Sequence, residues 1–277
     1  MKKIIAMLLA LTIMLAFAGC ASSEPAATEA PTVAATEAAT EAATEAPTEA
    51  ATEAATEAAT EAPVSVMTHD EFVAADLDTP VVVETYVQAV EGWWDGVVQL
   101  YAQSEDGGYY IYNLACTEEE AAAFVPGTKI RVSGYKAEWA GEVEIIDATY
   151  EILEGSYIVT EATDVTALMG TDELTAHANE LVAIKGMTVA ASTGADGSEV
   201  AYLYKWDGSG SQGDDIYFNV TLGENTYTFT VNAYMLDNAD AYAAVEALEI
   251  GDVIDVEGFL YWYEGAQPHV TGVTKVG

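Results

Sequence analysis

Alternation of apolar and polar residues starts only after position 64. Over 128–135, Ile130 and Val132 fall on one face while Lys129, Arg131 and Ser133 fall on the other, the two-residue period of a half-buried strand. Runs rich in β-branched and aromatic residues at 81–90, 97–103 and 109–115 precede it. The last two are separated by Ser104-Glu105-Asp106-Gly107-Gly108, the sequence of a tight hairpin turn. Thr117-Glu118-Glu119-Glu120 then reads as a capping box, in which Thr117 and Glu120 satisfy free N–H groups at the start of a short helix over 121–124. A fifth strand is predicted at 142–152.

The same series returns further on, with strands at 181–189, 216–222 and 226–233, a helix at 239–248, and strands at 253–260 and 270–276. A longer connection, 190–215, follows its first strand. Gly127, Gly134 and Gly141 recur as Gly251, Gly258 and Gly265, each 124 positions later. In the same register Ile130 and Val132 match Ile254 and Val256, Tyr135 matches Phe259, Trp139 matches Tyr263, Phe124 matches Leu248 and Ala121 matches Val245. Two copies of one module account for this agreement. Three strands, a helix and two strands is the order of the OB-fold, so the expected class is all-β with short helices: tandem five-stranded OB-fold barrels at 65–155 and 156–277.

The first 64 residues follow another pattern. Lys2 and Lys3 lead an apolar stretch over 4–17, shorter than the ~20 residues that span a bilayer and suited to a signal peptide over 1–19. Phe17-Ala18-Gly19-Cys20 resembles the lipobox of bacterial lipoproteins, with Phe17 where leucine is usual. That resemblance implies a lipid on Cys20 and a membrane anchor; the alternative is an ordinary cleavage site with Cys20 incidental.

Residues 20–64 use almost only Ala, Thr, Glu, Pro and Ser. Glutamates recur every fourth residue from Glu37 to Glu61, which would stack like charges along one stripe of a helix, and Pro31, Pro47 and Pro63 interrupt it further. With Val33 its one larger apolar side chain before Val64, the segment reads as an extended, self-repelling linker.

Charge narrows the partners. Nine of the 46 acidic residues lie in that linker, which leaves 37 against six basic residues after it, a balance of about −31. A surface of that sign repels phosphate backbones and anionic headgroups, so nucleic acid is disfavoured as a partner although the fold often binds it. With Cys20 lipidated, Cys116 has no cysteine to pair with and reads as a small buried hydrophobe.

The stretch 85–152 carries Gly92-Trp93-Trp94, Tyr110-Ile111-Tyr112, Val125-Pro126-Gly127-Thr128-Lys129 and Trp139-Ala140-Gly141-Glu142-Val143-Glu144-Ile145. It resembles a module of the tandem OB-fold surface lipoproteins of gut-type Gram-positive bacteria, closely over the first domain and more loosely over the second. The resemblance implies a fold and a cell-surface location and brings no catalytic residues with it.

OB-folds usually bind across strands two and three, between the first-to-second and fourth-to-fifth strand loops. Trp93 and Trp94 fall in one such loop and Trp139 in the other, with Tyr110 and Tyr112 on the sheet between. The second copy offers Tyr261, Trp262 and Tyr263, and Trp206 in its long connection. These aromatics are the candidate ligand contacts. They would serve equally as plugs closing the ends of small barrels, and one of Trp93 or Trp94 is expected to point inward on extended chain.

Asp196-Gly197-Ser198-Glu199 and Asp207-Gly208-Ser209 read as turns rather than calcium loops, and His69, His177 and His269 as surface or satisfied histidines. No metal-protease helix, nucleophile elbow or phosphate-binding glycine loop occurs. The functional expectation is a non-catalytic binding or adaptor module without cofactor, taking a carbohydrate or peptide. The rivals are a structural or protein-interaction spacer at the cell surface, an oligonucleotide binder and a two-carboxylate hydrolase.

Overall fold

The computed structural model describes residues 65–276. The signal peptide, Cys20 and the linker up to position 64 lie outside the described residues.

Helix α1 (His69–Ala74) opens the fold with a capping box between Thr68 and Glu71, and it buries Phe72. Strands β1 (Pro80–Trp94), β2 (Val97–Ser104) and β3 (Gly107–Ala115) follow. Helix α2 (Glu118–Ala121) separates them from β4 (Thr128–Trp139) and β5 (Glu142–Ser156). The sheet closes in the order β1-β2-β3-β5-β4, with every neighbour antiparallel except the parallel β3–β5 pair. Alternation along the strands delivers Val83, Val87, Leu100, Ile111, Ile130, Val132 and Ile145 to the core, each fully buried. Phe124 closes one end of it, its ring 4.8 Å from that of Tyr150. The Thr117–Glu120 box is present, a cap of a kind that contributes about 1 kcal/mol.

Helix α2 sits earlier than 121–124 because the box places its first turn directly after Thr117. Strands β1, β4 and β5 run longer than expected. Beyond the alternating core segment they continue to pair, Trp139 with Glu142 and Lys129 with Leu153, although neither segment there has an apolar face to reveal it.

The second barrel repeats the plan. Strand β6 (Leu181–Ala190), β7 (Ile216–Leu222), β8 (Asn225–Val231), helix α3 (Ala239–Glu246), β9 (Val253–Phe259) and β10 (His269–Lys275) follow in order. Pairing runs β7-β8-β10-β9-β6 and closes through β6–β7, again with a parallel third-and-fifth pair, β8–β10. Both halves are therefore OB-folds, and the chain is a tandem of them.

The duplicated glycines occupy equivalent places. Gly127 and Gly251 precede the fourth strand of each copy with φ of 92° and 96°, a conformation that favours glycine. Gly134 and Gly258 lie where the strand register shifts, and a Cβ there would come within 2.6 Å of the Ile146 carbonyl oxygen and 2.5 Å of that of His269.

The 190–215 connection is structured. Its Ser192–Thr193 and Glu199–Val200 segments pair with each other, and Leu203–Tyr204 pairs with β7. Asp196 and Asp207 accept the backbone N–H groups of Ser198 and Ser209, so both segments are turns. Cys116 is a free, buried thiol whose pKa burial pushes up, with Glu120 adding to the shift.

Candidate functional site

The site starts from an anomaly on β2 and β3. Leu100 and Ile111 point into the first barrel, so their neighbours Tyr101 and Tyr110 point out, yet both tyrosines are buried. What covers them is the second barrel, which falls with the first in one compact unit. The Tyr101 ring stacks on Phe259 at 4.6 Å, and Tyr110 meets Tyr261 edge-on at 5.5 Å. Met235 completes this apolar seam.

Polar contacts surround the seam. Tyr101 Oη lies 2.8 Å from His269 Nδ1, Leu236 N–H donates to the Val90 carbonyl at 2.8 Å, and Leu181 N–H donates to Gln103 Oε1 at 2.8 Å. Trp262 N–H donates to Glu142 Oε2 at 2.8 Å and Glu264 N–H to the Ala140 carbonyl at 2.7 Å. Gly108 permits the approach, since a Cβ there would lie 2.4 Å from the Asn179 carbonyl carbon.

The second-and-third-strand face of the first barrel, which carries Tyr110, is thus covered in part by the second barrel. Tyr112 is exposed at the margin, its ring 6.4 Å from that of Tyr110. Trp93 and Trp94 are both solvent-accessible, at 38% and 79%, so neither points inward as expected. The register shifts between Glu91 and Trp94, which breaks the strict alternation, and the Trp93 indole N–H donates to the Cys116 carbonyl at 2.9 Å. Neither tryptophan lines the cleft described next.

Beside the seam opens a cleft of about 680 Å³, within the size range of small-molecule sites. One wall is the outer face of β7 and β8, where Tyr217 pairs with Thr230 and Asn219 with Thr228. This is the second-and-third-strand face of the second barrel. The opposite wall comes from the first barrel through Gln99, Tyr110 and Trp139.

Trp139 and Tyr263, the equivalent positions of the two repeats, meet at the mouth with ring centroids 5.2 Å apart. Trp206 on the long connection forms another part of the lining, and Tyr261 belongs to the lining as well. Trp262 instead packs onto Gly141, where a Cβ would be 2.7 Å from its ring, and it borders a separate recess beside Thr171 and Tyr227. The cleft therefore gathers Tyr110, Trp139, Trp206, Tyr261 and Tyr263 and leaves out Trp93, Trp94, Tyr112 and Trp262.

Polar lining residues that the sequence did not mark as ligand contacts are Glu91, Asp215, Asn232, Gln267 and His269, the last read there as a surface or satisfied histidine, with Asn219, Thr228 and Thr230 on the strand face. The strand residues had a signal in the alternation of Ile216, Phe218 and Val220 with Tyr217 and Asn219. Glu91 had none, being one carboxylate among many. Burial pushes the Glu91 carboxyl up to about 7, the nearby Asp215 charge adding to the shift and Asn232 opposing it. Burial also raises Asp215 and lowers His269 to about 4, so the imidazole is neutral near pH 7. Behind the seam Glu142 is fully buried and is pushed up to about 8 by that burial, against the pull of Asn179 and the Trp262 N–H.

No protein-family model matches the sequence, and no curated protein matches it. Solved structures that align with it include a murine DNA-binding protein bound with double-stranded DNA, at 11% identity over 72% of this chain and 98% of that one, TM-score 0.29. The p204 HINb domain aligns at 11% identity over 72% and 98%, TM-score 0.31. A replication protein A heterotrimer bound to ssDNA aligns at 7% identity over 78% and 70%, TM-score 0.25. Overlaps this slight transfer no ligand.

Proposed function

We propose that this chain is a non-catalytic, extracytoplasmic binding module, anchored to the membrane by lipid on Cys20 and carried on the 20–64 linker, whose ligand is a carbohydrate held in the cleft. The observation that carries the reading is the union of aromatic and amide side chains from both barrels around one cavity. Trp139, Tyr263 and Trp206 present exposed ring faces that suit the C–H faces of a sugar, while Asn219, Asn232 and Gln267 supply donors and acceptors for hydroxyls. The signal-like 1–19 segment and the lipobox-like Phe17-Ala18-Gly19-Cys20 support the location.

Nucleic acid suits the cleft poorly, because its lining includes Glu91 and Asp215 and no lysine or arginine. The cations of β4 are engaged elsewhere, Lys129 with Glu84 at 2.7 Å, Arg131 with Glu84 and Glu151 at 2.8 Å, and Lys136 with the Val73 and Ala75 carbonyls at 2.7 and 2.8 Å. One other feature favours docking of an exported protein: Trp94, Tyr234 and Leu236 are exposed near one another, with Gly92 N–H donating to the Tyr234 carbonyl and Leu236 N–H to that of Val90.

Calorimetric titration of the full chain with a panel of oligosaccharides tests the main reading. Trp139→Ala is expected to weaken the best binder about tenfold, the loss of one stacking surface. A panel with no binder, or undiminished affinity in the variant, would contradict it.

A further inference from the structure

At the floor of the cleft, Glu91 is nine-tenths buried, and its Oε1 has no hydrogen-bond partner. Thr230 Oγ1, from the facing strand, is likewise buried and unpartnered. Asp215 joins them in the lining, with its Oδ1 held by the Ala233 N–H at 2.8 Å. Two carboxylates and a hydroxyl thus look into one end of a cavity, two of the three with acceptors unused. A buried acceptor left without a donor costs free energy, so a fold that keeps two in the lining of one cavity is arranged for a donor that arrives from outside.

The nearest internal cation is discounted by geometry. His269 Nδ1 lies 3.8 Å from Glu91 Oε1, beyond hydrogen-bond reach, and is engaged with Tyr101 Oη at 2.8 Å. Among the described residues no group of three or more His, Cys, Asp or Glu side chains is placed to hold a metal ion. A compact cation that brings its own N–H groups would supply the missing donors. An ammonium has three, enough for Glu91, Asp215 and Thr230.

We propose that the cleft floor is a subsite for a protonated primary amine carried by the saccharide, so that the module selects amino sugars with a free ammonium over their N-acetylated forms. This rests on the carbohydrate reading above. The ammonium enters between Glu91 Oε1 and the Asp215 carboxylate, while the sugar ring lies against the aromatic lining. An acetyl group would remove the charge and two N–H donors and leave both carboxylates uncompensated.

The test is calorimetric titration of the full chain, near neutral pH, with glucosamine oligomers and with N-acetylglucosamine oligomers of the same length and linkage. The free amine is expected to bind at least about tenfold tighter, and Asp215→Asn and Glu91→Gln are each expected to remove that preference by weakening binding of the free-amine oligomer. Thermal melting of both variants establishes that they fold, and Asp215→Asn keeps the Ala233 contact through its amide oxygen. Equal affinities, or a preference that survives both substitutions and so reflects only the acidic surface, would overturn the subsite. Trilysine serves as the separate probe. If it binds and loses binding in both variants while neither sugar binds, the ammonium subsite stands and the carbohydrate reading falls; if nothing binds, both fall.

Discussion

Gly108→Val is expected to unseat the second barrel from the first. A Cβ at 108 would lie 2.4 Å from the Asn179 carbonyl carbon, 2.5 Å from its oxygen and 2.6 Å from the Glu180 nitrogen. All three are backbone atoms, and Asn179 and Glu180 are themselves tied to Leu260 by N–H···O bonds of 2.9 and 3.0 Å. They cannot yield as a flexible side chain would, so the barrels must move apart. Separation would expose Tyr101, Tyr110, Met235 and Phe259 to water, a loss of about 3 kcal/mol or more when the overpacking and the uncovered apolar area are combined. Chemical denaturation reads this directly. The parent chain should unfold in one transition, and the variant in two, with saccharide binding lost because the cleft walls no longer face each other. A single transition at the parent midpoint would show that the seam contributes little.

The second large effect is a stability that falls as pH rises from about 5 to 8. Glu142 and Glu91 have ordinary values of 4.5 and are raised to about 8 and about 7 in the folded chain. Between 4.5 and its folded value each is largely protonated when folded and ionised when unfolded, with Glu91 ionising in the folded chain near 7 and Glu142 near 8, so its contribution is present below 4.5 and is lost as pH climbs through the folded value. His269 works in the opposite sense. Lowered from 6.5 to about 4, it contributes stability above 6.5 that is lost as pH falls towards 4.

Two carboxyls outweigh one imidazole over the shared range, which leaves the decline towards alkaline pH. Glu142→Gln keeps an acceptor for the Trp262 N–H and removes the ionisation, so at pH near 8 it should exceed the parent by on the order of 3 kcal/mol, with the gap closing near pH 5. Denaturant midpoints across that range check it, and parallel curves for parent and variant would refute the assignment.

The barrels themselves were legible in the sequence. Strand alternation, the Thr117 capping box and the glycine triplets at 127 and 251 all predict features that the structure shows, because each reports local backbone chemistry or an inward face. The site was legible only in its aromatics. Tyr101 and Tyr110 neighbour the inward Leu100 and Ile111, and nothing local distinguishes an outward face that meets water from one that meets another domain. Tyr135 and Phe259 occupy matching repeat positions, yet the first is exposed and the second buried, since Phe259 alone packs on Tyr101. Glu91 and Asp215 gain their character from burial across that seam, a tertiary property invisible among so many carboxylates. Trp93 and Trp94 lie at the β1–β2 connection as expected, and neither points inward because the register shifts at the end of β1.

Amide and side-chain NMR of the full chain titrated with its best oligosaccharide tests the central claim most directly. Shifts concentrated at Gln99, Tyr110 and Trp139 of the first barrel together with Asn219, Thr228 and Tyr263 of the second are the predicted result. Shifts confined to Trp93, Trp94 and Tyr112, with the residues of the shared cleft unmoved, would contradict it.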